Sequence, residues 1–261
     1  MEKMPAIAGW IWVKEGFALF RKQPAEISTL FLAYMFLIMA IGFLPLLGQV
    51  LPLVLIPVFS MTFMQACLQI EQGKKVYPNL LLAGFRSPAF KRLLKLGVLY
   101  LLAAVIAVAA SAIVDGGVFW EIMSGQKRLD TETIRGSDLS LAMMVSAAVY
   151  TPALMAFWYA APLIAWQDMS IGKAIFYSFF AVKRSGMAFL VYGLSWVLIG
   201  IILPAVLSSL VALIVGQAFA VMVVLLTVSL VLTVVMYCSF YPTYTHIFGR
   251  PESRPALSLP Q

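Results

Sequence analysis

Apolar residues run through this chain in long blocks, without the alternation that would mark half-buried strands or surface helices. About 20 consecutive apolar residues suffice for a helix to cross the hydrocarbon of a bilayer. Blocks of that kind lie at 28–44, 50–70, 93–114 and 139–166, and no charged residue interrupts 187–241. The last block is too long for one crossing. It divides into spans at about 187–208 and 217–241, with a turn between Ser208 and Gln217. The pattern predicts an all-α polytopic membrane protein of six transmembrane helices in one bundle, a single domain over 1–249 followed by a short tail at 250–261. Pro45, Gly48 and Pro52 tighten the first hairpin and Pro57 falls inside its second arm, so a re-entrant pair is the alternative there.

Composition excludes a soluble globule of 261 residues. Hydrophobic residues make up 62% and charged residues 11%, with a mean hydropathy of +0.97. Typical soluble domains hold about 45–50% and about 25%. The N-terminal segment does not read as a cleavable leader, because no small-residue cleavage site follows an apolar run, so the first span is expected to remain in the product.

The net charge of +7 is unevenly placed. Six spans put Lys3, Lys14, Arg21 and Lys22 on the same side as Lys74, Lys75, Arg86, Lys91, Arg92 and Lys95. Lys173, Lys183, Arg184, Arg250 and Arg254 join them there, fifteen basic residues in all. The opposite side holds only Lys127, Arg128 and Arg135, among Asp115, Glu121, Asp130, Glu132 and Asp138. Basic residues are retained on the cytoplasmic face of a membrane, so both termini are expected in the cytoplasm. No nucleic acid is needed to explain the positive charge.

Each basic segment follows one pattern: a short helix-capable stretch, a basic cluster, a breaker, then a span. The stretches are Gly9–Gln23, with Trp10, Val13, Phe17 and Phe20 as its apolar stripe, then Asn79–Arg86 and Ile171–Arg184. They predict three interfacial helices, with rings at the acyl boundary and cations toward lipid phosphate, and a possible threefold repeat of surface helix plus hairpin. The residues expected against anionic inner-leaflet headgroups are Arg21, Lys22, Arg86, Lys91, Arg92, Lys95, Lys183 and Arg184. Trp12, Tyr241 and Tyr244 are expected among the aromatic anchors at headgroup level.

Candidate chemistry is sparse. His246 is the single histidine, and Cys67 and Cys238 lie in apolar runs, so no metal site, catalytic residue or cofactor is predicted. Polar candidates at the rim or within the membrane are Gln65, Gln69, Glu71, Asp168 and Gln217. Gln65 and Gln69 share a helical face and can bond across the bundle. Glu71 and Asp168 are expected to pair with Lys74, Lys75 or Lys173. Kinking prolines at 57, 152, 162, 204 and 242 leave room for a cavity between spans, although passive bundles carry them too.

Three segments carry a family resemblance: Trp10-Ile-Trp-Val-Lys-Glu-Gly16 with Phe20-Arg-Lys-Gln-Pro24, Ala66-Cys-Leu-Gln-Ile-Glu-Gln-Gly73 with Phe85-Arg86, and Pro162-Leu-Ile-Ala-Trp-Gln-Asp168 with Ala174–Ala181. Together they resemble an uncharacterised family of proteobacterial six-span inner-membrane proteins, with a looser likeness to YciC-like proteins and to the membrane domain of some glycerophosphodiester phosphodiesterases. The resemblance implies a bacterial inner-membrane location and a six-helix bundle, and it brings no catalytic residue with it.

Two functions compete at this stage. One is a non-enzymatic membrane protein acting as scaffold or partner of envelope machinery, with a membrane protein partner or a second copy. The other is transport or binding of a lipid or small amphiphile through a cavity between kinked helices. An enzyme fares worst, because catalysis needs positioned acid, base or metal groups and the spans supply few.

Overall fold

The computed structural model describes residues 3–45, 47–128 and 138–251. Asp130, Glu132, Arg135 and Arg254, which entered the charge partition, lie outside them.

Eleven helices cover most of the described residues. In chain order they are α1 (Ala8–Lys22), α2 (Pro24–Gly42), α3 (Leu47–Glu71), α4 (Leu80–Arg86), α5 (Phe90–Asp115) and α6 (Val118–Met123). Then follow α7 (Leu139–Phe157), α8 (Ala160–Trp166), α9 (Ile171–Arg184), α10 (Gly186–Val215) and α11 (Ala218–Phe248). Among these residues six segments are long and apolar enough to cross a membrane: α2, α3 from Val50 on, α5, α7 with α8, α10 and α11. The protein is an all-α polytopic bundle.

Helix ends explain how span bounds differ from those read off hydropathy. Pro24 opens α2, where a missing N–H costs nothing, so the first span starts four residues before Ser28. The turn between the last two spans narrows to Gly216 and Gln217. Gly216 takes the left-handed conformation that ends a helix, while Ser208 and Ser209 stay helical by donating to the Ala205 carbonyl. The last span continues past Tyr241 to Phe248. Thr29, Thr151, Ser195, Thr227 and Thr233 likewise bond a carbonyl one turn back, which satisfies hydroxyls where water is absent.

The fourth span is broken. Between α7 and α8 the Ser178 hydroxyl enters the backbone ladder, accepting from the Tyr159 N–H at 2.9 Å and donating to the Met155 carbonyl at 2.9 Å. Those two groups would otherwise bond each other, and an inserted side chain is a recognised cause of a kink.

Three times a short helix precedes a pair of long ones: α1 before α2 and α3, α4 before α5 and α7, α9 before α10 and α11. Each short helix packs on the second long helix of another unit. On α4, Gly84 sits against α3, where a Cβ would fall 2.8 Å from Val58 Cγ1. In the same way α9 locks onto α7 and α8 through Ser178. Closing the ring, α1 lies across α11, where a Cβ on Gly16 would fall 2.6 Å from Ser239 Cβ. The three second arms meet at the centre. Gln65 of α3 accepts from the Trp166 indole of α8 at 3.4 Å, Cys67 of α3 abuts the Cys238 carbonyl of α11, and the Tyr159 hydroxyl donates to the Thr243 carbonyl at 3.1 Å.

This arrangement corrects the interfacial reading of α1 and α4. In α1 the buried face is Gly9, Trp12, Val13, Gly16 and Leu19, whereas Trp10 is exposed. Of the stripe read through Trp10, Val13, Phe17 and Phe20, Val13 is buried and Phe17 and Phe20 pack partly inward. Trp12 replaces Trp10, because two glycines allow close approach and Trp12 fills the space between α10 and α11. In α4, Leu80, Leu81, Ala83 and Gly84 are buried. Only α9 turns a large aromatic face outward, with Phe176, Tyr177 and Phe180 exposed opposite buried Ala174, Ser178 and Ala181.

Burial ranks the spans: 61% of the apolar window of α3 is buried, against 6% in α10. α3 is the hub. Around it Phe31, Tyr34, Phe59, Phe63 and Tyr237 interlock, with Phe63 and Tyr237 centroids 4.5 Å apart. The first hairpin is two antiparallel helices joined at Phe43–Pro45, and both arms count among the six crossings.

Candidate functional site

Charged side chains gather where the elbow after α1, the end of α3 and the end of α11 converge. On α1, Glu15 and Lys22 are seven residues apart and share a face. On α11, Tyr241 and Thr245 are one turn apart, followed by His246 and, past the helix end, Arg250. Glu71 is the last residue of α3.

Glu71 is held twice. Its Oε2 accepts from the Tyr241 hydroxyl at 2.6 Å, and its Oε1 meets Arg250 Nη2 at 3.0 Å. His246 is also held twice: Nδ1 accepts from the Trp12 indole at 3.1 Å and Nε2 faces Glu15 Oε2 at 3.1 Å. An indole N–H only donates, so Nδ1 carries no proton in this arrangement and the neutral ring donates from Nε2 to Glu15. These contacts latch α1, α3 and α11 together. They also wall a recess of about 290 Å³ that Lys22, Leu19, Pro242 and Thr245 complete. A neighbouring recess of about 320 Å³ shares Arg250 and is walled by Trp166, Gln167, Tyr244 and Phe248. The Thr245 hydroxyl is turned back to the Pro242 carbonyl. Among the described residues no three His, Cys, Asp or Glu side chains come together as a metal site.

Glu71 therefore pairs with Arg250 and Tyr241 and not with Lys74 or Lys75. Gln23 explains the difference: its amide bridges the Lys74 carbonyl at 2.8 Å and the Val76 N–H at 3.1 Å, so the stretch after Gly73 is held against the elbow of α1 and α2. Asp168 pairs with Arg92, whose guanidinium also reaches the Asp168 and Met169 carbonyls. Lys173, the expected partner, instead stands 5.9 Å from the Tyr177 ring centre. The two carboxylates thus anchor separate contacts.

Arg21, Lys22, Arg86, Lys91, Lys95, Lys183 and Arg184 are exposed, and Arg92 is half-buried. Gln69 is half-buried beside Gln65, while Gln217 is exposed at the start of α11 and makes no side-chain hydrogen bond among the described residues. Trp12, Tyr241 and Tyr244 are buried, each bonded to a polar partner: His246, Glu71 and Gln167 respectively. Glu15, His246 and Arg250 were missed as a group. Their sequence signal was faint: an acid set among bases in the first elbow, and the lone histidine near the end of the last span.

No protein-family model matches the chain, and no solved structure matches it. Over 255 residues it is 37% identical to a protein of Burkholderia thailandensis described as a probable inner membrane protein, an alignment covering 96% of this chain and 94% of that relative. The chain belongs to the family of integral membrane proteins that includes this Burkholderia thailandensis protein.

Proposed function

We propose that the protein is a non-enzymatic inner-membrane scaffold, with both termini in the cytoplasm and its basic elbows on the anionic inner leaflet. Its work is done by its faces toward lipid and a membrane partner. The observation that carries this is the filled centre of the bundle. The aromatic rings around α3 interlock, and the prolines at 57, 162, 204 and 242 are buried against neighbours, so those four kinks are packed, while Pro152 is exposed. Orientation rests on fifteen of eighteen basic residues falling on one side. The looser likeness to YciC-like proteins and to the phosphodiesterase membrane domain belongs to this reading and rests on the motifs around Trp10, Gln69 and Pro162.

A second reading, binding of a lipid or small amphiphile, is favoured by the charged recess between α1, α3 and α11. It places the guest at the bundle's edge, with no passage through the centre. Reconstitution into vesicles with fluorescent phospholipid tests both. As a scaffold, the chain leaves transbilayer lipid movement unchanged and retains a stoichiometric protein partner or second copy in native mass spectrometry. Accelerated lipid movement, or a bare monomer under gentle extraction, overturns the scaffold.

A further inference from the structure

The recess between α1, α3 and α11 is unusual for its balance of charge. Glu15 and Glu71 stand on its wall with Lys22 and Arg250, and His246 is neutral in the bonding observed, so the formal charges cancel. They do not cancel locally. Glu71 is fully engaged, by Tyr241 and Arg250. Glu15 gives His246 only Oε2 and leaves Oε1 without a partner among the described residues, and Lys22 has no ion pair among them. Arg250 uses Nη2 on Glu71, and 78% of its side chain stays exposed. Among the described residues, one carboxylate oxygen and two cations are therefore open to a guest. A simple anion would meet the cations but also two carboxylates, and a simple cation the reverse. A guest with both charges satisfies each. A volume of about 290 Å³ sits at the lower end of ligand pockets, about 300 Å³, which suits a headgroup rather than whole acyl chains.

We propose that this recess binds a compact zwitterionic phosphate ester of the phosphoethanolamine class, its ammonium on Glu15 and its phosphate on Lys22 and Arg250. This deepens the amphiphile-binding reading and rests on it. A primary ammonium donates three hydrogen bonds to a carboxylate site, whereas a quaternary ammonium donates none. The site thus distinguishes ethanolamine from choline through Glu15, and both from glycerol through the same charge.

Native mass spectrometry of the full chain in detergent, titrated with synthetic phosphatidylethanolamine, phosphatidylcholine and phosphatidylglycerol, tests it. Phosphatidylethanolamine is expected to be retained about tenfold better than either, the discrimination one charge-assisted hydrogen bond supplies. Glu15→Gln keeps an acceptor for His246 and is expected to preserve the unfolding midpoint while erasing the preference for ethanolamine over choline. Lys22→Gln is expected to weaken both. Displacement of the retained lipid by free phosphoethanolamine supports the same chemistry with a soluble source, and no displacement supports the lipid. Equal retention of the three headgroups, or a preference unchanged in folded Glu15→Gln, overturns this inference and leaves amphiphile binding standing. Retention of no lipid at all overturns both.

Discussion

The indole N–H of Trp12 donates to Nδ1 of His246 at 3.1 Å, joining the first helix to the end of the last. Trp12 is fully buried and also packs on Phe189 and Tyr192, so it does two separable things. Trp12→Phe keeps an apolar ring and removes the donor. It is expected to lower stability by about 1 kcal/mol, the worth of one interhelical hydrogen bond. A double-mutant cycle with His246→Phe, read by unfolding midpoints in detergent, isolates the bond; additive losses would mean it contributes nothing.

Ser178 bridges Tyr159 and Met155 in place of a backbone hydrogen bond. Ser178→Ala removes a donor and an acceptor together, leaving the buried Tyr159 N–H and the part-buried Met155 carbonyl unmatched unless the span straightens to join them. A loss of about 1–3 kcal/mol is expected, with faster amide exchange concentrated at Tyr159. Uniform exchange across the chain would argue that α9 is not held by this residue.

Gly97 of α5 lies where a Cβ would stand 1.8 Å from the Val54 carbonyl oxygen. Backbone cannot yield as a flexible side chain can, so Gly97→Ala must push α5 off α3, at a cost of about 1–3 kcal/mol or more. Gly193→Ala is the control: it meets nothing within 4 Å and sits inside α10, so it is expected to be neutral or to stabilise slightly. Equal midpoints for the two variants would contradict the close packing of α3 and α5.

Cys67 and Cys238 are buried, so a single new cysteine reports on its own location. An impermeant maleimide on intact cells is expected to label Ser124→Cys at once and Lys75→Cys only after permeabilisation. The same response from both would break the count of crossings and the orientation with it.

Arg92 differs from its basic neighbours in being paired with Asp168. Arg92→Gln is expected to loosen the start of α5 by no more than about 1 kcal/mol, as the pair is largely exposed. Lys91→Gln and Lys95→Gln leave the fold intact and lower retention of anionic phospholipid by the detergent-extracted chain about fivefold each, one lysine's worth at a charged surface. Unchanged retention in the double variant would remove these lysines from lipid contact.

Why some features were legible in the sequence and others were not comes down to range. A span announces itself because lipid demands about 20 apolar residues in a row, and Gly216 announces a helix end because few residues take its conformation. Nothing local says that Trp12 points inward while Trp10 points out. Both sit on one turn, and the choice was made by α10 and α11, far along the chain. Local sequence offers Glu71 the neighbouring Lys74 and Lys75, yet its partner is Arg250.

The amino-acid order alone determined the number of oily segments, the lopsided distribution of positive charge and the short helix ahead of each hairpin, since each depends on the solvent a segment meets. Tertiary structure decided which short helix covers which span, that α3 is the hub, and that Glu15, Glu71, His246 and Arg250 share one recess. Those outcomes depend on which surfaces fit together once the helices exist, through contacts between residues as far apart as Trp12 and His246.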